Sequence, residues 1–265
     1  PDSDPTFDRP IGRRLTPGYR TEERIMEKDE QIKQLRLLME RLDNDTNVDA
    51  GGQRIFETSI YTSKDLADRE WETFFRGTPQ VIGMSGDLAE RGSFMTQNDN
   101  GVPILATRDE DGLFRAHLNA CRHRGVLVEA ETRGNRTRFT CPFHAWTYSN
   151  KGELVGLPKA KHFGEIDKSC NGLIPLPAVE RYGFLWVHPD PKGEIDVEKL
   201  LGGLASEFDT WGFAGMQSLG YDTYTVPLNW KLAMDTFGET YHFTTLHRDT
   251  LAESFYGNVQ RLSRT

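Results

Sequence analysis

Two short runs concentrate the residues able to do chemistry: Cys121-Arg122-His123 and, after seventeen intervening residues, Cys141-Pro142-Phe143-His144. Each run supplies one thiolate and one imidazole. A structural zinc site more often pairs Cys with Cys and His with His, or uses Cys at most positions. A [2Fe-2S] cluster of mixed ligation needs two thiolates on one iron and two neutral imidazoles on the other. That lowers the cluster's negative charge and raises its potential above that of an all-Cys cluster. C-x-H with C-x-x-H supplies this set, one donor of each kind from each of two loops. Zinc held by the same four donors is the competing reading.

A second concentration lies in Asp235-Thr236-Phe237-Gly238-Glu239-Thr240-Tyr241-His242-Phe243-Thr244-Thr245-Leu246-His247. Pro227 followed by apolar residues at helical spacing marks a helix start. At about 100° per residue, Asp235, Glu239 and His242 share one face of such a helix. Five residues turn the direction by about 140°, so His242 and His247 face one point only where the helix breaks or loosens. A lone His here reads as surface or core packing. Asp235 reads equally as a polar support or a surface acid.

Cys121-Arg122-His123-Arg124-Gly125 with Cys141-Pro142-Phe143-His144-Ala145-Trp146 closely resembles the cluster motif of Rieske proteins. More narrowly, it resembles the α subunits of Rieske non-heme iron ring-hydroxylating oxygenases. Ala145 departs from the family, which often has Gly there. The resemblance implies a Rieske [2Fe-2S] cluster on Cys121, His123, Cys141 and His144, and a mononuclear Fe(II) on His242 and His247. It places Glu239 where the family has an acid, usually Asp, that connects a cluster histidine of one subunit to an iron histidine of the next. The third iron ligand, a carboxylate, comes in the family from a later part of the catalytic domain. Asp249 and Glu253 follow His247 too closely to approach the metal independently. The chain is therefore expected to be the front part of a longer protein.

The elements that must position these residues follow from periodicity and turn chemistry. Between Thr21 and Asn44, Ile25, Ile32, Leu35, Met39 and Leu42 recur among charged residues in a seven-residue rhythm, an amphipathic helix that covers its own domain or packs on a neighbouring subunit. Residues 45–53 form a linker by composition. Ser63-Lys64-Asp65 caps a short helix over 66–75. Strands over 102–107 and 113–119 flank Asp109-Glu110-Asp111-Gly112, a hairpin signal. The second alternates Phe114, Ala116 and Leu118 with Arg115, His117 and Asn119, and delivers the chain to Cys121. Residues 138–140 do the same for Cys141, 146–149 and Asn150-Lys151-Gly152 open another hairpin, and 182–187 make a last strand before Pro189-Asp190-Pro191.

The expected fold is α+β. An N-terminal arm, helix and linker occupy 1–53, a small antiparallel Rieske domain 54–190, and the start of a helix-grip catalytic domain 191–265.

The chain has 265 residues, 37% hydrophobic and 27% charged, and its net charge is -8. That balance argues against a nucleic-acid partner. No apolar run of about 18 residues reaches across a bilayer, and no leader pattern opens the chain. Cys170 stays single once Cys121 and Cys141 hold metal, which favours a reducing cytoplasm. From Cys121 to Lys161, eight basic residues (Arg122, Arg124, Arg133, Arg136, Arg138, Lys151, Lys159, Lys161) face three acidic ones (Glu129, Glu131, Glu153), either a solvated face or a dock for an acidic electron donor. No dinucleotide fingerprint is present, so electrons must come from outside.

The resemblance implies a ferredoxin or flavin reductase as donor, O2 and an aromatic compound as substrates, and a homotrimer or α3β3 assembly. Monooxygenation or demethylation is the runner-up. A non-catalytic electron carrier is the rival if the chain is complete.

Overall fold

The computed structural model of the chain describes residues 28–46, 52–216, 219–220 and 223–252. The expected arm, the first turns of the expected N-terminal helix, part of the 45–53 linker and Glu253 lie outside the described residues. Helix α1 runs Lys28–Asp43, α2 Ser59–Thr62 and α3 Lys64–Glu70, the last continuing into a π-helical turn at Trp71–Arg76. Eleven strands follow: β1 Gln80–Met84, β2 Ser93–Gln97, β3 Ile104–Arg108, β4 Phe114–Leu118, β5 Arg133–Asn135, β6 Arg138–Thr140, β7 Thr147–Ser149, β8 Leu154–Gly156, β9 Pro175–Leu176, β10 Ala178–Arg181 and β11 Phe184–Val187. Helices α4 Val197–Leu201, α5 Leu204–Phe208, α6 Trp230–Phe237 and α7 Phe243–Leu246 complete the described chain.

All strand pairings are antiparallel, in three sheets ordered β5-β2-β3-β4-β9, β1-β11-β10 and β6-β7-β8. The five-stranded sheet is the middle layer. Because side chains alternate across a strand, its two faces feed two cores. Met95, Ile104, Ala106 and Ala116 join Ile82, Leu185 and Val187 of the β1-β11-β10 sheet. Phe94 and Leu105 join Phe139, Tyr148 and Leu154 of the small β6-β7-β8 sheet, together with Cys121 and Cys141. The small sheet is thus anchored to the middle one by the core that holds both thiols.

Burial on both faces of β4 gives its alternation a different meaning from a half-solvated strand. His117 and Asn119 are as buried as Ala116. The Asn119 side-chain oxygen accepts from the N–H groups of Val128 and Glu129 at 3.1 and 3.0 Å, and its amide donates to the Glu129 carbonyl at 2.7 Å. Polar residues on this face therefore tie down the loop after Cys121. The expected β3–β4 hairpin forms around fully buried Asp109, whose carboxylate accepts from Asp111 N–H, Leu113 N–H and Arg115 Nε at 2.9, 2.9 and 2.6 Å.

Three expectations are corrected. The last strand begins at Phe184, because Tyr182 and Gly183 both have positive φ, 55° and 78°, and make the β10–β11 turn. No residue of α1 is buried, and Leu35, Met39 and Leu42 are all more than half exposed, so among the described residues nothing covers the apolar row of this helix. The Ser63 cap forms as expected, its hydroxyl accepting from Leu66 N–H at 3.3 Å. The helix expected over 66–75, however, is α-helical only from Lys64 to Glu70 and goes on as the π-helical turn, whose Phe74 and Phe75 meet the Trp230 ring edge-on at 6.2 and 5.6 Å.

Candidate metal centres

The two cluster loops share one backbone form. Cys121 N–H donates to the Val126 carbonyl and Gly125 N–H returns to the Cys121 carbonyl, both at 2.8 Å. Cys141 N–H donates to Trp146 O and Ala145 N–H returns to Cys141 O, at 2.8 and 3.0 Å. The residue four after each Cys is left-handed, Gly125 at φ 70° and Ala145 at 57°. This is why Gly suits that position and why Ala145 is the strained member. The loops differ in where the imidazole falls, two residues after the first Cys and three after the second.

Within this frame the thiols lie inside and the imidazoles on the rim. Cys121 and Cys141 are 4% and 2% exposed, whereas His123 is half-buried and His144 exposed. The two imidazole rings lie 4.7 Å apart. Trp146 stacks on His123 at 5.1 Å and 8°, with Phe163 edge-on to both. Burial, then the neighbouring His144 and Arg124, lower the His123 pKa, which favours the neutral form that ligates metal. Burial and the adjacent Cys121 thiol push the Cys141 pKa up, against the N–H groups of Phe143 and His144, which point at its sulfur. Those N–H groups favour thiolate once a metal replaces the proton.

Sequence reasoning missed Tyr148, which is fully buried. Its hydroxyl lies 3.3 Å from the Cys121 sulfur and accepts from Arg122 N–H at 3.0 Å. With its oxygen engaged by that N–H, its own proton is directed at the sulfur. Burial and the thiol raise its pKa, so it stays a donor. Its place two residues after Trp146 on β7 was the available signal.

At the second site the continuous helix expected through Asp235, Glu239 and His242 is replaced by a break. Helix α6 ends at Phe237, and Gly238 N–H closes on the Met234 and Asp235 carbonyls at 2.8 and 3.2 Å. His242 and His247 then flank the one-turn α7, with ring centroids 5.3 Å apart. The loosening that could bring both histidines to one metal is thus present, but it begins at Gly238. Glu239 accepts from His242 Nδ1 at 2.5 Å and also takes the N–H groups of Tyr241 and His242. The His242 bond, foremost, lowers the Glu239 pKa. A carboxylate on Nδ1 leaves Nε2 free for a metal, the support a ligating imidazole needs. Asp235 is an acceptor for Tyr61 Oη at 2.7 Å. Asp249 pairs with Arg248 at 3.2 Å on the surface.

The donors fit these groups. Among the described residues no three Cys, His, Asp or Glu side chains converge on a single ion. A thiol pair beside an imidazole pair suits a two-iron cluster, one pair per iron, rather than one tetrahedral zinc. A cleft of about 680 Å³ beside Ile82, Met95, Glu129 and Arg133 is lined by none of these ligand candidates.

Comparison with known proteins agrees. Residues 78–178 match the Rieske [2Fe-2S] domain, and residues 213–260 match the catalytic domain of the ring-hydroxylating alpha subunit. The chain belongs to the Rieske oxygenase α subunits.

Among relatives of this Rieske oxygenase chain, the N,N-dimethyl phenylurea N-demethylase subunit alpha of Sphingobium sp. (strain YBL2) is 29% identical, over 74% of this chain and 44% of its own length. The anthranilate 1,2-dioxygenase large subunit of Acinetobacter baylyi is 30% identical, over 71% and 41%. The structure of naphthalene 1,2-dioxygenase from Rhodococcus sp. bound to indole superposes with a TM-score of 0.67 at 30% identity, over 88% of this chain and 52% of that one. The chain thus spans about half the length of the relatives it matches. The two matched domains imply a Rieske [2Fe-2S] cluster and a mononuclear iron.

Proposed function

We propose that the protein is the oxygenase component of a Rieske system. Electrons from a ferredoxin or flavin reductase enter at Cys121, His123, Cys141 and His144 and pass by way of Glu239 to the site of His242 and His247, where an aromatic substrate is hydroxylated with O2. The observation that carries this reading is the coexistence of two donor sets in one chain: paired thiols and imidazoles on matched loops, and a carboxylate-oriented His242 beside His247.

When bound, the cluster supplies one-electron transfer and the iron supplies O2 activation. The chain's own residues do the rest. Burial of Cys121 and Cys141 keeps water from the sulfur side, Tyr148 holds a proton toward Cys121, and the exposed edge of His144 offers a route outward. Glu239 fixes the tautomer of His242. By family resemblance, the same carboxylate connects His242 to a cluster histidine of the neighbouring subunit in a ring of three.

Of the eight basic residues near the cluster, Arg133, Arg136 and Lys151 are paired with Asp87, with Glu129 and Glu131, and with Asp111. Arg122, Arg124, Arg138, Lys159 and Lys161 stay exposed, a surface suited to an acidic donor.

Monooxygenation or demethylation is the second reading. It is favoured by Glu239, one methylene longer than the family's usual Asp, and by the likeness to a demethylase subunit. Turnover with ¹⁸O-labelled O2 on aromatic acids and on N-methylated compounds separates the two. Two labelled atoms in an aromatic product support ring dioxygenation, and one label or loss of a methyl group supports the second reading. No product from either class, despite a reducible cluster and the complete donor system, contradicts both and leaves an electron carrier.

A further inference from the structure

Helix α6 carries the chain into the Glu239–His247 segment, and one residue far away in sequence bonds both its ends. The carbonyl of Tyr61, in α2, accepts from the side-chain amide of Asn229 at 3.0 Å. Asn229 is the N-cap of α6, its side-chain oxygen accepting from Lys231 N–H at 2.9 Å. The hydroxyl of the same Tyr61 donates to Asp235 Oδ2 at 2.7 Å, in the last turn of α6. Six residues of helix cover about 9 Å, a span that one tyrosine bridges from backbone to hydroxyl.

Neighbouring contacts fix the first turn of α6 against the same segment. Glu70 takes Lys231 Nζ at 2.5 Å and Trp230 Nε1 at 3.1 Å, with the Lys231 and Glu70 side chains 18% and 11% exposed. These contacts hold the start of the helix, whereas the Tyr61 hydroxyl acts where the helix ends. The Asp235 carbonyl accepts from Gly238 N–H, so the residue tethered by Tyr61 also closes the turn that launches Glu239. Glu239 in turn orients His242.

We propose that Tyr61 is a positioning residue of the mononuclear iron site: its hydroxyl, through Asp235, sets the direction in which α6 delivers Glu239 and His242. This rests on the reading of His242 and His247 as iron ligands. Asp235 is then neither an idle surface acid nor a ligand but the receiving end of a strut. A metal site tolerates displacements of only about 0.5 Å in its supports, so a small swing of the last helical turn weakens metal binding without unfolding the chain.

The test uses the purified holoenzyme with its iron-sulfur cluster intact. Iron beyond the cluster is titrated against a chelator, and the Fe(II) site is read by the EPR line shape of its nitric oxide adduct. Tyr61→Phe keeps the ring and the carbonyl bond to Asn229 and removes only the hydroxyl. It is expected to weaken Fe(II) binding about tenfold, the lower end for lost outer support of a metal ligand. The line shape broadens, while the cluster signal and thermal unfolding stay as in the parent. Asp235→Asn, which still accepts the hydroxyl, keeps Fe(II) affinity within about twofold. Asp235→Ala reproduces Tyr61→Phe, and the double variant is no worse than either single one, since both remove the same bond.

Parent-like affinity and line shape in Tyr61→Phe overturn the positioning role while leaving the iron site standing. Loss of iron in step with loss of the cluster signal and a lower unfolding temperature also overturns it, in favour of a general structural contact. A parent protein that holds no iron beyond the cluster, unchanged by His242→Ala, overturns the iron-site reading and the inference with it.

Discussion

Ala145 and Gly125 occupy the same place in two loops of the same form, and the sequence gives them different residues. A non-glycine residue in the left-handed region costs roughly 1 kcal/mol, partly offset in Gly by the entropy of the unfolded chain. Ala145→Gly is therefore expected to stabilise the protein by about 0.5 kcal/mol. Gly125→Ala is expected to destabilise it by about 1 kcal/mol, and for conformational reasons alone, since a Cβ there meets nothing within 4 Å. Urea unfolding of both variants measures the pair.

Tyr148 supports a second residue-scale prediction. A hydrogen bond to a cluster sulfur favours the reduced, more negative state. Tyr148→Phe removes the 3.3 Å contact to Cys121 and is expected to lower the reduction potential. One bond of about 1 kcal/mol corresponds to roughly 40 mV for a single electron. A redox titration followed by visible absorption reads the shift, and an unchanged potential would remove Tyr148 from the cluster's environment.

At the scale of elements, local signals were legible and long-range pairings were not. The β3–β4 hairpin, the β7–β8 hairpin and the Ser63 cap are set by residues within a few positions of one another, so turn and cap chemistry located them. Strands β1, β2, β5, β9 and β10 went unread. β1 and β2 are short and mixed in polarity, and their reason to be strands is a distant partner: Gln80 pairs with Val187, and Ser93 with Asn135. The break at Gly238 was legible only as a requirement, that His242 and His247 could not share a continuous helix, and its position depended on cap geometry. The contacts of Tyr61 with Asn229 and Asp235 join positions more than 160 residues apart and leave no sequence signal.

His117 on β4 carries an element-scale prediction. Burial pushes its pKa down to about 4, and its ring packs against the β7–β8 turn so closely that a Cβ on Gly152 would fall 2.3 Å from Nε2. The unfolded chain takes up this proton near pH 6.5, while the folded chain holds the imidazole neutral down to about 4. The stabilisation is therefore complete above pH 6.5 and declines as pH falls toward 4, by at most about 3 kcal/mol. Unfolding measured at pH 7.5 and at about 4.5 should show this decline in the parent, and His117→Gln should flatten it. Gly152→Ala, strained both by φ 85° and by that contact, is expected to destabilise the β7–β8 turn strongly.

For the whole molecule, the net charge of -8 contrasts with the exposed cations around the cluster loops. Complementary fields speed encounter and are screened by salt, with a Debye length of about 10 Å at 0.1 M ionic strength. The rate of cluster reduction by an acidic donor is expected to fall as salt rises. Arg122→Gln with Arg124→Gln should lower the low-salt rate and flatten the dependence, whereas a salt-independent rate would leave these residues a solvated face. Among the described residues no helix is long and apolar enough to cross a membrane.

The metal content of the protein decides most directly whether both donor sets are filled. Low-temperature EPR of the reduced, anaerobically purified holoenzyme, with total iron and zinc, tests it in one preparation. The predicted result is a reduced-state Rieske signal and three irons per chain, of which one is lost in His242→Ala while the cluster signal is kept. A colourless protein holding one zinc, with no signal after iron-sulfur reconstitution, would contradict it.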